Sequence, residues 1–294
     1  GYEVAATVGG GGGGKAITVT ATPDQRSAVV SPLPDGSPLQ LTVRAGNGQG
    51  MGPKAASNPV TPTQWWPFKT PAALVARQYL DILERPPSTV ERAAWVTALS
   101  NRSATVSAMA MALYNSAEAQ NSTLAVAQLW VVGTHAAIDR ATLSTWVARL
   151  RAGTTFSTFG RAIAQQPAFA SRYANLGNRV FVVALSTDLL GAPLPATATA
   201  QWAAMLDSEK VQRGDLLAYF GLLPQARSRW GAWAETDLVL LDQLGATPSL
   251  DVLFADVTEV AGGRLSLATL VDDLTRSASY GARVGLRGTV PSSR

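Results

Sequence analysis

Tyr79-Leu-Asp-Ile-Leu-Glu-Arg-Pro-Pro-Ser88, followed by Trp95-Val-Thr-Ala-Leu99, is the stretch whose reading decides the fold. An apolar run at helical spacing, a proline-rich polar turn and a second apolar run read as helix–turn–helix. The same order returns without a gap at Leu240-Leu-Asp-Gln-Leu-Gly-Ala-Thr-Pro-Ser249 and Asp256-Val-Thr-Glu-Val260. Trp130 and Leu185 lead two further copies, so the four lead positions lie 51, 55 and 55 residues apart by subtraction. A period of this length marks one supersecondary unit that buries its apolar face by stacking on its neighbours.

Within each copy the spacing predicts about three helices. Thr70-Pro71 opens the first, with Leu74, Val75, Tyr79, Ile82 and Leu83 on one face. Ser88-Thr-Val-Glu91 is a capping box for a second helix carrying Trp95, Ala98 and Leu99, and Val106, Met109, Ala110 and Leu113 stripe a third. The predicted copies span residues 71–122, 123–174, 175–232 and 233–287, with a tail over 288–294. Trp95, Trp146 and Trp202 share one repeat position and read as core. Asp256 stands there in the last copy, which marks a terminal cap whose carboxylate has to face water or an arginine.

Residues 1–63 follow a different rule. Tyr2-Glu-Val-Ala5, Ile17-Thr-Val-Thr-Ala21 and Leu39-Gln-Leu-Thr-Val-Arg-Ala45 alternate with period two between Gly, Pro, Asp and Asn turns, which predicts short antiparallel strands. Gly9 to Gly14 and Lys15 look like a phosphate loop only superficially. Ala16 stands where a Mg²⁺-binding hydroxyl is needed and the flanks read as strands, so a hairpin loop is expected. Residues 64–70 form a linker whose Trp65, Trp66 and Phe68 either plug the joint between modules or offer rings for glycan stacking.

The front residues Gly1-Tyr-Glu-Val4, Leu33 to Asn47 and Gly50 to Pro62 resemble the C-terminal part of a fibronectin type III domain. Leu39 replaces the family's corner tyrosine, and the first two strands have no counterpart. Three readings stay open: clipping, upstream sequence not included, or strands donated by another chain. In the helical part, Tyr79, Leu83, Arg85, Pro87 and Trp95, and again Leu189-Leu-Gly-Ala-Pro193 with Trp202, resemble the bacterial phycobilisome-linker-like helical domain of unknown function four-two-one-four. That resemblance implies a secreted or surface-layer protein of extracellular, non-catalytic role. The fold class expected is therefore mixed multidomain: an incomplete sandwich, then an all-α array of four three-helix repeats.

Composition narrows the chemistry. A hydrophobic fraction of 47% excludes wholesale disorder, and the absence of cysteine excludes disulfides and thiolate metal sites. The net charge of +4 is scattered without a basic run, so no nucleic-acid partner is expected, and no apolar run is long enough for a membrane span. One histidine, His135, reads as a surface loop residue and cannot alone build a zinc site or a triad. Of the 20 carboxylates few stand in apolar surroundings and Asp272-Asp273 reads as a solvated face, so no acid–base site, cofactor or metal is expected. Asn101-Arg-Ser103 and Asn121-Ser-Thr123 match glycosylation sequons.

Arg172, Arg229 and Arg283 recur where each copy's last helix is expected to end, facing the helix dipole or forming a row for an acidic glycan. These three, with Trp65 and Trp66, are the candidate contacts. The expected partners are an envelope glycan or other protein subunits, copies of the chain itself included. The function expected is a non-enzymatic bacterial surface or appendage component in adhesion, envelope attachment or assembly. The alternatives are a carbohydrate-binding accessory region of a secreted glycan-active enzyme, and a self-assembling lattice or filament subunit.

Overall fold

The computed structural model describes residues 1–8, 16–25, 28, 30, 33, 37–60, 62, 65 and 67–284. The Gly9–Lys15 loop, the Pro34–Gly36 turn, Trp66 and residues 285–294 lie outside them. The chain divides into two compact units: residues 1–73 together with the chain from Gly281 onward, and Leu74–Tyr280.

The first unit is built on a small antiparallel sheet. Strand β1 (Tyr2–Val8) sits between β2 (Ile17–Ala21) and β3 (Leu39–Asn47), in register Val4↔Val19 and Val4↔Val43. On its other side β3 pairs with β4 (Gly50–Met51), β5 (Ala55–Ala56) and, through an isolated bridge, Val60. Arg44 and Glu3 pair across β1 and β3 at 2.8 Å. Ala5, Ala6 and Leu39 are buried, whereas Tyr2, Val43 and Met51 are exposed. Among the described residues there is one sheet and no second sheet facing it.

From Pro71 to Arg283 every element is helical. Helices α1 (Pro71–Leu83), α2 (Thr89–Ser100), α3 (Val106–Tyr114) and α4 (Ala117–Gln120) come first. Helices α5 (Thr123–Thr134), α6 (Arg140–Arg151), α7 (Phe156–Ala164) and α8 (Pro167–Tyr173) follow, then α9 (Asn178–Leu190), α10 (Ala196–Asp207) and α11 (Arg213–Gly221). The last are α12 (Pro224–Leu244), α13 (Leu250–Ala261), α14 (Leu267–Thr275) and α15 (Ala278–Arg283). Helices α2, α6, α10 and α13 all have 12 residues, and α3, α7, α11 and α14 all have 9. The helix before each pair ends on a left-handed residue: Glu84, His135, Gly191 or Gly245. That conformation turns the chain back, and the N–H groups of His135, Gly191 and Gly245 each close a carbonyl of the last turn. Aligned on these ends, Ser186 rather than Leu185 corresponds to Tyr79, Trp130 and Leu240, a one-residue correction to the sequence register.

Local chemistry explains the boundaries. Ser88 and Glu91 close a reciprocal capping box on α2; Thr105, Asp139, Thr155, Ser249 and Ser266 cap other helices through their side chains. After Gly221 the helix α12 runs for 21 residues with no break, fusing what the sequence predicts as a closing helix to the next lead helix.

The core of the second unit lies where α5 and the second half of α12 pack together, with α6, α7 and α11 around α5 and α9 against α12. All of α5 except Trp130 is buried, as is α12 from Thr236 to Gln243. Helix α7 crosses α11 at backbone contact: a Cβ on Gly160 would sit 2.1 Å from the Gly214 carbonyl oxygen. Neighbour-only stacking does not hold. Helix α14 packs on α3, and Gln78 of α1 donates to the Tyr280 hydroxyl at 2.8 Å, so the first and last helices meet. Of the residues at the shared position, Trp146 is buried on Phe159, Trp95 and Trp202 are half-buried, and Asp256 is half-buried as its charge requires. No helix among the described residues is long and apolar enough to cross a membrane.

Candidate functional site

Helix ends leave orphan carbonyls, and this fold closes them with guanidinium groups from other helices. Arg140, the first residue of α6, reaches the carbonyls of Asp81 and Leu241 at 3.1 Å each. Arg151 bonds the carbonyls of Leu83 and Glu84, and Arg213 those of Tyr173 and Leu176. Arg85 spans Glu91 of the α2 cap and Glu118 of α4 at 2.8 and 2.6 Å. Its hydrogen bonds, with those of Ser88, hold the Glu91 carboxyl down at about 2 against burial.

Two of the three arginines singled out in the sequence meet in one such place. His135 ends α5 in the left-handed conformation, and its ring lies beside the last turn of α9. Arg172 of α8 donates through Nη1 to His135 Nε2 at 2.6 Å and to Asp188 Oδ2 at 2.9 Å, and through Nη2 to the Gly133 carbonyl. The Tyr173 hydroxyl donates to the same Asp188 oxygen at 2.6 Å. Burial alone would raise the Asp188 pKa, but the neighbouring His135, the Tyr173 hydroxyl bond and the Arg172 charge outweigh it and leave it lowered. Burial and the Asp188 carboxylate together drive the Tyr173 hydroxyl well above its ordinary value. Arg229 donates Nε to the Asp188 carbonyl at 3.0 Å, and Trp230 Nε1 reaches that carbonyl at 3.3 Å.

From this cluster a strip of rings runs outward. His135 stacks on Trp230 at 4.9 Å, Trp230 neighbours Trp233 one turn along α12 at 6.3 Å, and Trp233 meets Phe254 of α13 at 4.6 Å. Trp230 and Trp233 are half-buried and Phe254 is 52% exposed. His135 is thus a member of a built cluster rather than a plain loop residue. Arg172 serves the end of α5 as well as its own helix, and Arg229 lies inside α12 rather than at a helix end, because α12 continues unbroken. Arg283 lies in the other unit, in the last turn of α15. Trp65 is half-buried in the first unit, with its Nε1 buried and without a hydrogen-bond partner among the described residues. Asp188, Trp233 and Phe254 escaped the sequence reading. The i, i+3 pair Trp230/Trp233 was the available signal, since two tryptophans one turn apart share a helix face.

A few carboxylates do lie in apolar surroundings. Asp242 of α12 is fully buried, salt-bridged to Arg140 at 2.8 Å and bonded by the Tyr114 hydroxyl at 3.0 Å. Burial still raises its pKa; the Arg140 charge opposes this, and nearby Asp81 adds to the rise. Asp237 accepts the Ile138 N–H at 2.8 Å through Oδ2, and burial pushes it up to about 7. Neither lines the cavity of about 170 Å³ between Arg161, Phe169, Tyr173 and Arg213. Asp272 pairs with Arg276 at 3.0 Å on the surface. Among the described residues no group of three or more His, Cys, Asp or Glu is placed to hold a metal ion.

Compared with known proteins, the chain matches no family model, no curated protein and no solved structure.

Proposed function

We propose that this chain is a non-enzymatic, extracellular component of a bacterial surface or appendage, working in adhesion, envelope attachment or assembly. One observation carries the reading. Among the described residues Arg85, Arg140, Arg151, Arg172 and Arg213 join helix to helix, while a strip of half-exposed rings beside Arg229 is left to the solvent. A body braced in this way suits a rigid scaffold that works through its faces. The helical part is read as four variations on one three-helix unit, over 71–122, 123–174, 175–232 and 233–287. Support comes from the recurring 12- and 9-residue helices and from the left-handed residue before each pair. The front sheet is read as part of a fibronectin III-like sandwich, which its antiparallel pairing suits.

The ring strip favours a second reading, a carbohydrate-binding accessory region of a glycan-active enzyme. Two measurements test the pair. Antibody labelling of intact producing cells is expected to find the chain on the outside. Incubation of the purified chain with polysaccharides is expected to release no new reducing ends. Labelling only after lysis removes the surface reading; turnover of any polysaccharide removes the non-enzyme reading.

A further inference from the structure

We propose that the strip His135–Trp230–Trp233–Phe254 binds a soluble, twisted polysaccharide carrying carboxylate or sulfate groups, which Arg229 reads. The inference rests on the surface-binding reading above and gives it a ligand class.

Area argues for a sugar chain over a protein. An aromatic side chain hides roughly 150–250 Å² when fully buried, and these rings keep only part of theirs open. The strip therefore offers on the order of 300 Å², against the ~800 Å² per partner of a stable protein interface. Two or three sugar rings fit that footprint. The planes do not align. Successive interplanar angles are 29°, 55° and 84°, so a flat crystalline polymer meets only one ring, whereas a twisted chain meets several in turn.

Charge argues for an anion. The Arg229 side chain is exposed, and beyond the Nε bond to Asp188 its two terminal nitrogens have no hydrogen-bond partner among the described residues. The Asp188 carboxylate is already answered by Arg172 and Tyr173, so it does not cancel Arg229. An arginine fork pairs two-pronged with carboxylate or sulfate, and it is charged at every working pH. Asp251, one turn before Phe254, is exposed and negative, which places the ligand's anionic group at the Arg229 end.

Affinity electrophoresis of the full chain in gels containing polygalacturonate, heparin or dextran tests this, with pelleting on microcrystalline cellulose beside it. Retardation is expected in at least one acidic gel, not in dextran, and no pelleting with cellulose. The polygalacturonate and heparin gels distinguish carboxylate from sulfate. Trp233→Ala and Phe254→Ala are each expected to weaken retention about tenfold or more. Arg229→Gln is expected to do the same and to reduce its salt dependence, while Arg264→Gln leaves it unchanged. Phe254 is exposed enough that its variant folds even if Trp233→Ala does not. No retention in either acidic gel, equal retention in dextran, cellulose pelleting, or full retention by Phe254→Ala and Arg229→Gln overturns the proposal. So does a concentration-dependent dimer that Phe254→Ala abolishes, which assigns the strip to contact between copies. Attachment to whole envelope fractions that survives these variants leaves the surface reading standing without this site.

Discussion

Asp237 holds one buried oxygen, Oδ1, without a hydrogen-bond partner among the described residues, and the neighbouring Thr236 hydroxyl is in the same position. An ionised carboxylate in that place is costly, so folding favours the proton and lifts the pKa from 3.8 to about 7. A raised folded pKa gives stability that is complete below the unfolded value and is lost as pH rises through about 7. From Asp237 alone the loss between pH 4 and 8 is on the order of 4 kcal/mol, or about 10 °C in Tm. Buried Asp242, also raised, adds in the same direction. We therefore expect thermal melts to show a higher Tm at pH 5 than at pH 8, and Asp237→Asn to flatten that slope. A wild-type profile rising toward pH 8 would remove this account. These residues were illegible in the sequence because Asp237 and Asp242 lie on a helix whose other positions read as an ordinary amphipathic face. Only the packing of α5 and α12 against each other shows that this face is enclosed. Arg172 and Arg229 were legible by their repeated position, but not the carbonyls and the Asp188 carboxylate they serve, which come from distant turns.

At the scale of elements, the helix boundaries were the most readable part, since caps such as Ser88/Glu91 and starts such as Pro71 and Pro167 are local chemistry. The fusion of α12 was not readable: Leu223-Pro224 begins a helix, but nothing local says that it continues through Gly231. How closely two helices approach is also a tertiary fact. Gly160 and Gly214 are replaceable by any small residue as far as sequence shows, yet a Cβ on Gly214 would lie 2.4 Å from the Arg161 backbone. We expect Gly160→Ala to force α7 and α11 apart and to cost about 3 kcal/mol in denaturant unfolding. Gly231→Ala is the opposite case. Its Cβ meets nothing within 4 Å, so the variant is expected to stabilise by about 0.5–1 kcal/mol through helix propensity. Equal effects from the two would mean that the crossing is looser than described.

At the scale of the molecule, the two kinds of region, sheet then helices, followed from periodicity alone, whereas the way the helices close did not. A fixed period implies contact between successive units and says nothing about whether the last reaches the first. Here Tyr280, fully buried, lies against Gln78, and Gln243 of α12 approaches the same glutamine at 3.4 Å. The helical body should then melt as one cooperative piece, with calorimetric and van't Hoff enthalpies in agreement, unlike an open array that frays from its ends. Tyr280→Ala is expected to lower stability by about 3–5 kcal/mol. Loss confined to α14 and α15, with the rest melting unchanged, would show an open array instead. The same closure decides how the body answers a pull. With both ends of the helical body meeting at Gln78 and Tyr280, tension along the chain falls first on that junction. The helices are not stretched in series, so the body resists as a clasp does, holding its full length until the clasp opens and then paying out chain at once.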